Sequence, residues 1–194
     1  MMNDLNEDRM PSAWERVRER SADMGFDMPS DSRTGALLMA LAASKPMGNF
    51  LELGTGTGLA TACLLAGMDI GSKLTSLDLD PACMSVAQAV LGADPRLTLL
   101  QVDVAAWLKD ATDQTYDLIF ADAWPGKYSD FSTVTAMLKP GGMYLVDDML
   151  PQPNWPDGHA QAVSGWLNQL DALPGYCVVR LAWSTGIVLL VRRS

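Results

Sequence analysis

The chain lacks any apolar run near the ~18 residues that a membrane-spanning helix needs, so no span is expected in its 194 residues. Its N-terminus is acidic and polar, without the apolar core of a secretory leader, which points to a cytoplasmic protein. Cysteines are few, odd in number and far apart: Cys63, Cys83 and Cys177. No Cys-x-x-Cys pair and no Cys/His spacing occurs, so neither a zinc site nor a disulfide framework is expected. Cys63 and Cys83 fall on predicted helices, where buried free thiols are common. A single histidine, His159, is present. Basic residues are scarce as well: 14 Lys and Arg against 23 Asp and Glu leave a net charge of −9. Binding a phosphate backbone calls for a basic face, so nucleic acid is not expected as a partner. A small-molecule substrate fits better, and a homodimer is compatible with all of this. No internal repeat, low-complexity tract or second domain is visible.

What is present reads as globular. Hydrophobic residues make up 48% and charged residues 19%, and the length suits one domain over 1–194 with ample chain for a core. The sharpest local signal is Glu52-Leu53-Gly54-Thr55-Gly56-Thr57-Gly58. A short apolar run, Phe50 to Leu53, precedes it, and an apolar stretch at helical spacing, Leu59 to Met68, follows. That is a strand, a glycine turn and a helix. Such a turn lets a ligand approach the main chain, and the helix start offers free N–H groups. A dinucleotide fingerprint needs a third glycine one place after Gly58, where Leu59 stands. This argues against a nicotinamide oxidoreductase. The acid at Glu52 also suits a ligand with an ammonium or sulfonium centre and no phosphate, such as S-adenosylmethionine.

Strand and helix alternate through the rest of the chain. Strands are predicted over Lys73 to Leu79, Leu97 to Val102, Tyr116 to Ala121 and Met143 to Val146. Helices are predicted over Asp80-Pro81 to about Leu91, Val104 to Lys109 and Tyr128 to Leu138, the last closed by Lys139-Pro140-Gly141-Gly142. A Pro-rich loop, Pro151 to Pro156, leads to a helix capped by Asp157 and running to about Leu173. Cys177 to Trp183 and Ile187 to Arg192 form a hairpin through Ser184-Thr185-Gly186. The expected fold is α/β: a doubly wound, mostly parallel seven-stranded sheet with a terminal antiparallel hairpin, its last strand running against the others. Residues 1–44 supply N-terminal cap helices, at Trp14 to Met24 and Thr34 to Ala43. These read equally as packing helices or as a lid.

From about Met28 to the terminal hairpin, the chain resembles the class I S-adenosylmethionine-dependent methyltransferases. Within them it is similar to the small-molecule O-methyltransferases of the catechol and caffeoyl-CoA type. The carriers are the glycine stretch from Leu51 to Gly58, Ser76-Leu77-Asp78-Leu79-Asp80-Pro81, Val102-Asp103-Val104, Tyr116 to Trp124, Leu138-Lys139-Pro140-Gly141-Gly142 and Val146-Asp147-Asp148. The resemblance implies S-adenosylmethionine as cofactor and methyl transfer to a small acceptor, at a hydroxyl oxygen. Glu52, Gly54, Thr55, Gly56, Gly58, Asp78, Asp103, Val104, Asp122 and Trp124 are the expected cofactor residues. Asp78, at a strand end, suits both ribose hydroxyls, while Asp80 before Pro81 suits a helix cap. Asp103 suits the adenine amino group and Val104 N–H a ring nitrogen, and Asp103 also has the place of an N-cap. Trp124 matches an aromatic near the adenine.

The resemblance also implies a hard divalent ion such as Mg²⁺, held by Asp122, Asp147 and Asp148, that would lower the pKa of an acceptor hydroxyl. Two positions depart from the pattern. Asp148 stands where the family prefers Asn, and Pro125 stands where it carries a lysine base. The candidate catalytic bases are then His159 and Lys127. Trp155, Trp183 and Ser184 fall on the same sheet edge and are candidate pocket walls. Two other functions fit these motifs: a non-catalytic S-adenosylmethionine-binding sensor or interaction protein, and an aminopropyltransferase-like enzyme. The latter typically carries a longer β-rich N-terminal segment.

Overall fold

The structure, a computed structural model, describes residues 7–111, 113–170 and 173–194. Residues 1–6 and 171–172, to which the expected cap and last long helix extended, lie outside the described residues.

Seven strands form one sheet: β1 (Asn49–Leu53), β2 (Lys73–Asp78), β3 (Leu97–Gln101), β4 (Tyr116–Ala121), β5 (Leu138–Val146), β6 (Tyr176–Leu181) and β7 (Ile187–Arg192). Their order across the sheet is β3-β2-β1-β4-β5-β7-β6. The first five are parallel, while β7 pairs antiparallel with both β5 and β6. The last strand therefore runs against the others, as expected. The strand order reverses between β1 and β4. At such a switch point the loops leaving adjacent parallel strands diverge and open a crevice.

The helices are α1 (Ser12–Asp23), α2 (Ser32–Ala43), α3 (Leu59–Gly67), α4 (Pro81–Leu91), α5 (Val104–Asp110), α6 (Trp124–Lys127), α7 (Phe131–Ala136) and α8 (His159–Leu170). The two-residue period of a strand sends neighbours to opposite faces. Phe50, Leu118, Phe120 and Leu145 pack under α1, α2 and α3 on one face. Leu51, Leu53, Ile119, Tyr144 and Val146 pack with α5, α7 and α8 on the other. Phe120 is fully buried, and truncating such a side chain to alanine costs about 3–5 kcal/mol.

Three expectations change. The helix expected from Tyr128 to Leu138 is the shorter α7, and β5 starts at Leu138 rather than Met143. The Pro-Gly-Gly stretch is not a turn closing a helix. It is an irregular strand opening, where the β4–β5 register shifts between Tyr116 and Leu118 and Lys139 Nζ donates to Asp117 at 2.7 Å. The shift leaves room for Pro140, which has no N–H for a regular ladder. Helix α8 begins at His159, two residues past Asp157, after Gly158 in a left-handed conformation.

The N-terminal helices pack over the sheet, and only the link between them borders the crevice. Trp14 and Val17 of α1 are buried, and α1 packs on α3 and α4 while α2 packs on α3. The link between them, through Phe26 and Ser30, then reaches the wall of the crevice. Among the described residues no helix is long and apolar enough to cross a membrane.

Candidate functional site

At the carboxyl ends of β1, β2, β4 and β5 lies a cleft of about 520 Å³, within the usual size of small-molecule sites. Its inner half is the glycine turn. Gly54 and Thr55 N–H both donate to Leu77 O, at 2.9 and 3.0 Å, which folds the turn back over β2. Asp78 clamps the next step: its carboxylate accepts from Gly56 N–H at 2.7 Å and from Asp80 N–H at 2.9 Å. Gly54, Thr55, Gly56 and Asp78 all line the cleft. Asp80 caps α4 by accepting from Ala82 and Cys83 N–H, as expected.

Four expected cofactor residues do not line the cleft. Glu52 shares the sheet face of Phe50, so its side chain turns under α3. It is fully buried, and its Oε2 accepts from Thr61 and Ser76 hydroxyls, each at 2.5 Å, while Oε1 has no partner. Ser76 in turn bonds Thr55 at 2.6 Å. Glu52 thus supports the turn from beneath. Burial pushes its carboxyl up to about 8. Gly58 also lies outside the lining: a Cβ there would stand 3.0 Å from Leu91 Cδ1 and 3.2 Å from Ala87 Cβ, so its role is close approach to α4. Asp103 is exposed and caps α5 by accepting from Ala106 N–H at 2.8 Å. Val104 is buried in the core. Asp103 thus fills the N-cap place of α5.

The outer half carries the titratable groups. Asp122 follows β4, and its Oδ1 accepts from Lys127 Nζ at 2.8 Å. Lys127 reaches it because the chain breaks its helical path at Pro125 (ψ 137°) and Gly126 (φ 94°). The Gly126 carbonyl accepts from buried Tyr144 Oη at 2.6 Å, and a Cβ on Gly126 would stand 2.5 Å from Leu53 Cδ1. Only glycine makes that turn without strain, and it swings Lys127 inward until 3% of the residue is exposed. Asp147, after β5, is equally buried and accepts from Asp148 N–H at 2.7 Å and from the Thr185 hydroxyl. Burial, then the nearby Asp122 charge, holds its carboxyl well above the usual range.

Asp148 has φ 67°, a left-handed conformation that Asn and Asp adopt more readily than most residues. Its Oδ1 accepts from Trp155 Nε1 at 2.7 Å, and its Oδ2 stands 3.4 Å from His159 Nε2. His159 Nε2 also hydrogen-bonds Tyr128 Oη at 2.9 Å. Trp155 stacks on the imidazole, and Trp124 and Tyr128 meet it edge-on. Burial lowers the His159 pKa, against the opposing pull of Asp148. Asp122, Trp124, Lys127, Asp147, Asp148 and His159 all line the cleft.

The residues of the expected metal set meet other partners here. Among the described residues no group of three or more carboxylate, thiol or imidazole side chains is gathered to hold a metal ion. Asp122 is paired with an ammonium, Asp147 with a hydroxyl and an amide, and Asp148 with an indole and an imidazole. Each of the three acids is thus engaged by a protein partner, and among the described residues they are not gathered as a donor set for a divalent ion.

Tyr128, Thr185 and the Phe26–Ser30 segment also line the cleft and were not singled out in the sequence. Tyr128 reads as the first residue of a helix, and Thr185 stands beside Ser184, which was marked. Ser184 itself hydrogen-bonds Thr34, at 3.0 Å, and Trp183 packs into the core beneath α2. Neither lines the cleft.

Known proteins match this architecture. A "Putative O-methyltransferase" of Mycolicibacterium vanbaalenii is 33% identical over 147 residues, covering 73% of this chain and 63% of the relative. The chain thus spans under two thirds of that relative's length. The O-methyltransferase from Bacillus cereus in complex with SAH superposes with a TM-score of 0.81 at 18% identity, covering 94% of this chain and 91% of the other. The O-methyltransferase TomG from Streptomyces achromogenes, in complex with SAM, gives 0.78 at 19% identity, covering 95% and 91%. The model of a methyltransferase domain matches residues 51–149, just over half of the 194. The chain therefore belongs to this methyltransferase-domain family.

Proposed function

We propose that the protein transfers a methyl group from S-adenosylmethionine to a hydroxyl oxygen of a small acceptor. The observation that carries this reading is the division of the cleft. A glycine turn clamped by Asp78 fills one half, and the Asp122–Lys127 and Asp148–His159 pairs fill the other. In the inner half, the Asp78 carboxylate has acceptor capacity beyond its bonds to Gly56 and Asp80, which suits ribose hydroxyls. Trp124, about half exposed at the cleft, offers an apolar face to the adenine or acceptor. When bound, the donor supplies an electrophilic sulfonium methyl.

The chain's residues then order the acceptor and handle its proton. His159 is the base: a neutral imidazole, held by Asp148 and Trp155, takes the acceptor proton by way of the Tyr128 hydroxyl bonded to its Nε2. The aromatic ring set around it excludes water and favours a flat or apolar acceptor. Among the described residues no donor set for Mg²⁺ is gathered, which supports a reading without metal.

Thermal melts with S-adenosylhomocysteine and with NAD test the cofactor. S-adenosylhomocysteine should raise Tm in a concentration-dependent way, and NAD should not. Labelled S-adenosylmethionine with pooled phenolic acceptors tests turnover. A protein that binds the cofactor and never transfers its methyl group is a sensor, and the enzymatic reading falls.

A further inference from the structure

We propose that the Lys127 ammonium takes the electrostatic place of a divalent cation in this cleft, holding the acceptor oxygen directly so that transfer runs without metal. This rests on the methyl-transfer reading above. Three observations support it. The ammonium is in contact with Asp122 at 2.8 Å, and its side chain is 4% exposed, against 25% for the carboxylate. It belongs to the site's interior rather than to its rim. Its charge also acts on the buried Asp147 and on His159, so it stands among the groups a cation would have to balance. Finally, the break at Pro125–Gly126 that delivers it is anchored, by Tyr144 Oη on the Gly126 carbonyl and by Gly126 N–H on Ser129 O at 2.8 Å. A divalent ion on Asp122 would stand directly against this ammonium, in a poorly solvated wall where like charges repel strongly.

Lysine carries three donors, and one is engaged by Asp122. Another is free to donate to the acceptor oxygen. As His159 takes the hydroxyl proton, negative charge grows on that oxygen, and the fixed ammonium stabilises it more than it stabilises the neutral hydroxyl. An oxygen lone pair forms the new O–CH₃ bond while the S–CH₃ bond breaks and its electron pair stays on sulfur. The sulfonium becomes a neutral thioether, and the proton leaves from the imidazolium to solvent. Charge balances without a metal.

The test uses the EDTA-treated, S-adenosylhomocysteine-loaded protein in Mg²⁺ and Mn²⁺ calorimetry, with a parallel turnover assay on pooled phenolic acceptors. The wild type should show no saturable heat with either ion and should turn over undiminished in EDTA. Lys127→Met should lose on the order of 10²-fold or more in kcat while still binding S-adenosylhomocysteine, and Lys127→Arg should recover part of the loss by keeping the charge. Retained cofactor binding in both variants reports that they are folded. Saturable Mg²⁺ binding that Asp122→Asn abolishes overturns the proposal, as does turnover lost in EDTA and restored by Mg²⁺. So does a Lys127→Met enzyme with wild-type kcat. If no acceptor is methylated at all, the methyl-transfer reading fails, and with it the catalytic role of Lys127. Calorimetry alone then still decides whether the ammonium excludes the metal.

Discussion

The indole of Trp155 lies flat on the imidazole of His159, with ring centres 4.3 Å apart and planes 11° from parallel. The same indole donates to Asp148 Oδ1 at 2.7 Å. One side chain therefore fixes both the imidazole proposed as base and the carboxylate beside it. Trp155→Phe keeps a ring to stack and removes the N–H. Asp148 is then free to turn, and the imidazole loses its orientation. We expect kcat to fall on the order of 10-fold with S-adenosylhomocysteine affinity unchanged, read by steady-state kinetics beside a binding titration. An equal loss in affinity would place Trp155 with the cofactor instead.

His159 sets the acid side of the rate profile. Burial lowers its pKa, so the neutral, proton-accepting form persists below the ordinary histidine value near 6.5. The acid limb of kcat should therefore lie below pH 6.5. Asp148 opposes the burial effect, so Asp148→Asn should move that limb further down. His159→Ala should cost kcat about 10²-fold or more at pH 7, with the deficit shrinking at higher pH as the acceptor ionises by itself. A pH–rate series on the three proteins checks this, and an acid limb above pH 7 would contradict it.

Much of this arrangement was legible in the chain. Apolar strands at regular intervals, each followed by a polar or glycine turn, placed Asp78, Asp122 and Asp147 at strand ends, and those three do line the cleft. The motif sets Glu52 beside the glycine turn, but the strand period puts its side chain with Phe50, away from the cleft. The reach of Lys127 was not legible either. It depends on Gly126 adopting a left-handed conformation after Pro125, and no spacing rule predicts the direction of such a kink. The metal expectation followed from acids falling at one sheet edge. Whether acids converge depends on their partners: Trp155 lies on the loop that leaves β5, but Thr185 comes from the distant β6–β7 hairpin that only the fold brings near.

Asp78 joins loop order to ligand binding. Its Oδ2 holds Gly56 N–H, at 2.7 Å, and the remaining acceptor sites suit the ribose. Asp78→Ala removes both functions and should weaken S-adenosylhomocysteine binding by about 1–3 kcal/mol. Asp78→Asn keeps an acceptor for Gly56 and loses only the charge, so it should fall between the two. Calorimetric titration gives the order. If Asp78→Ala binds as the wild type does, the carboxylate serves the loop alone.

Glu52 should make the fold itself sensitive to pH. It is buried beneath α3 with one oxygen unpartnered, and burial raises its carboxyl from 4.5 to about 8. Below pH 4.5 both folded and unfolded chains hold the proton, and the group's contribution is fully present. Between 4.5 and about 8 only the folded chain holds it, so folding takes up a proton and stability falls as pH rises. Above about 8 the folded carboxyl ionises too, and the loss is complete. Glu52→Gln is neutral throughout and can still accept from Thr61 and Ser76. Its unfolding free energy minus that of the wild type should therefore climb between pH 5 and 8, by at most roughly 1.4 kcal/mol per unit, and level off above. Other titrating groups are common to both proteins and largely cancel. Urea unfolding at each pH measures the difference, and a flat difference would mean that Glu52 is ionised in the folded protein at neutral pH.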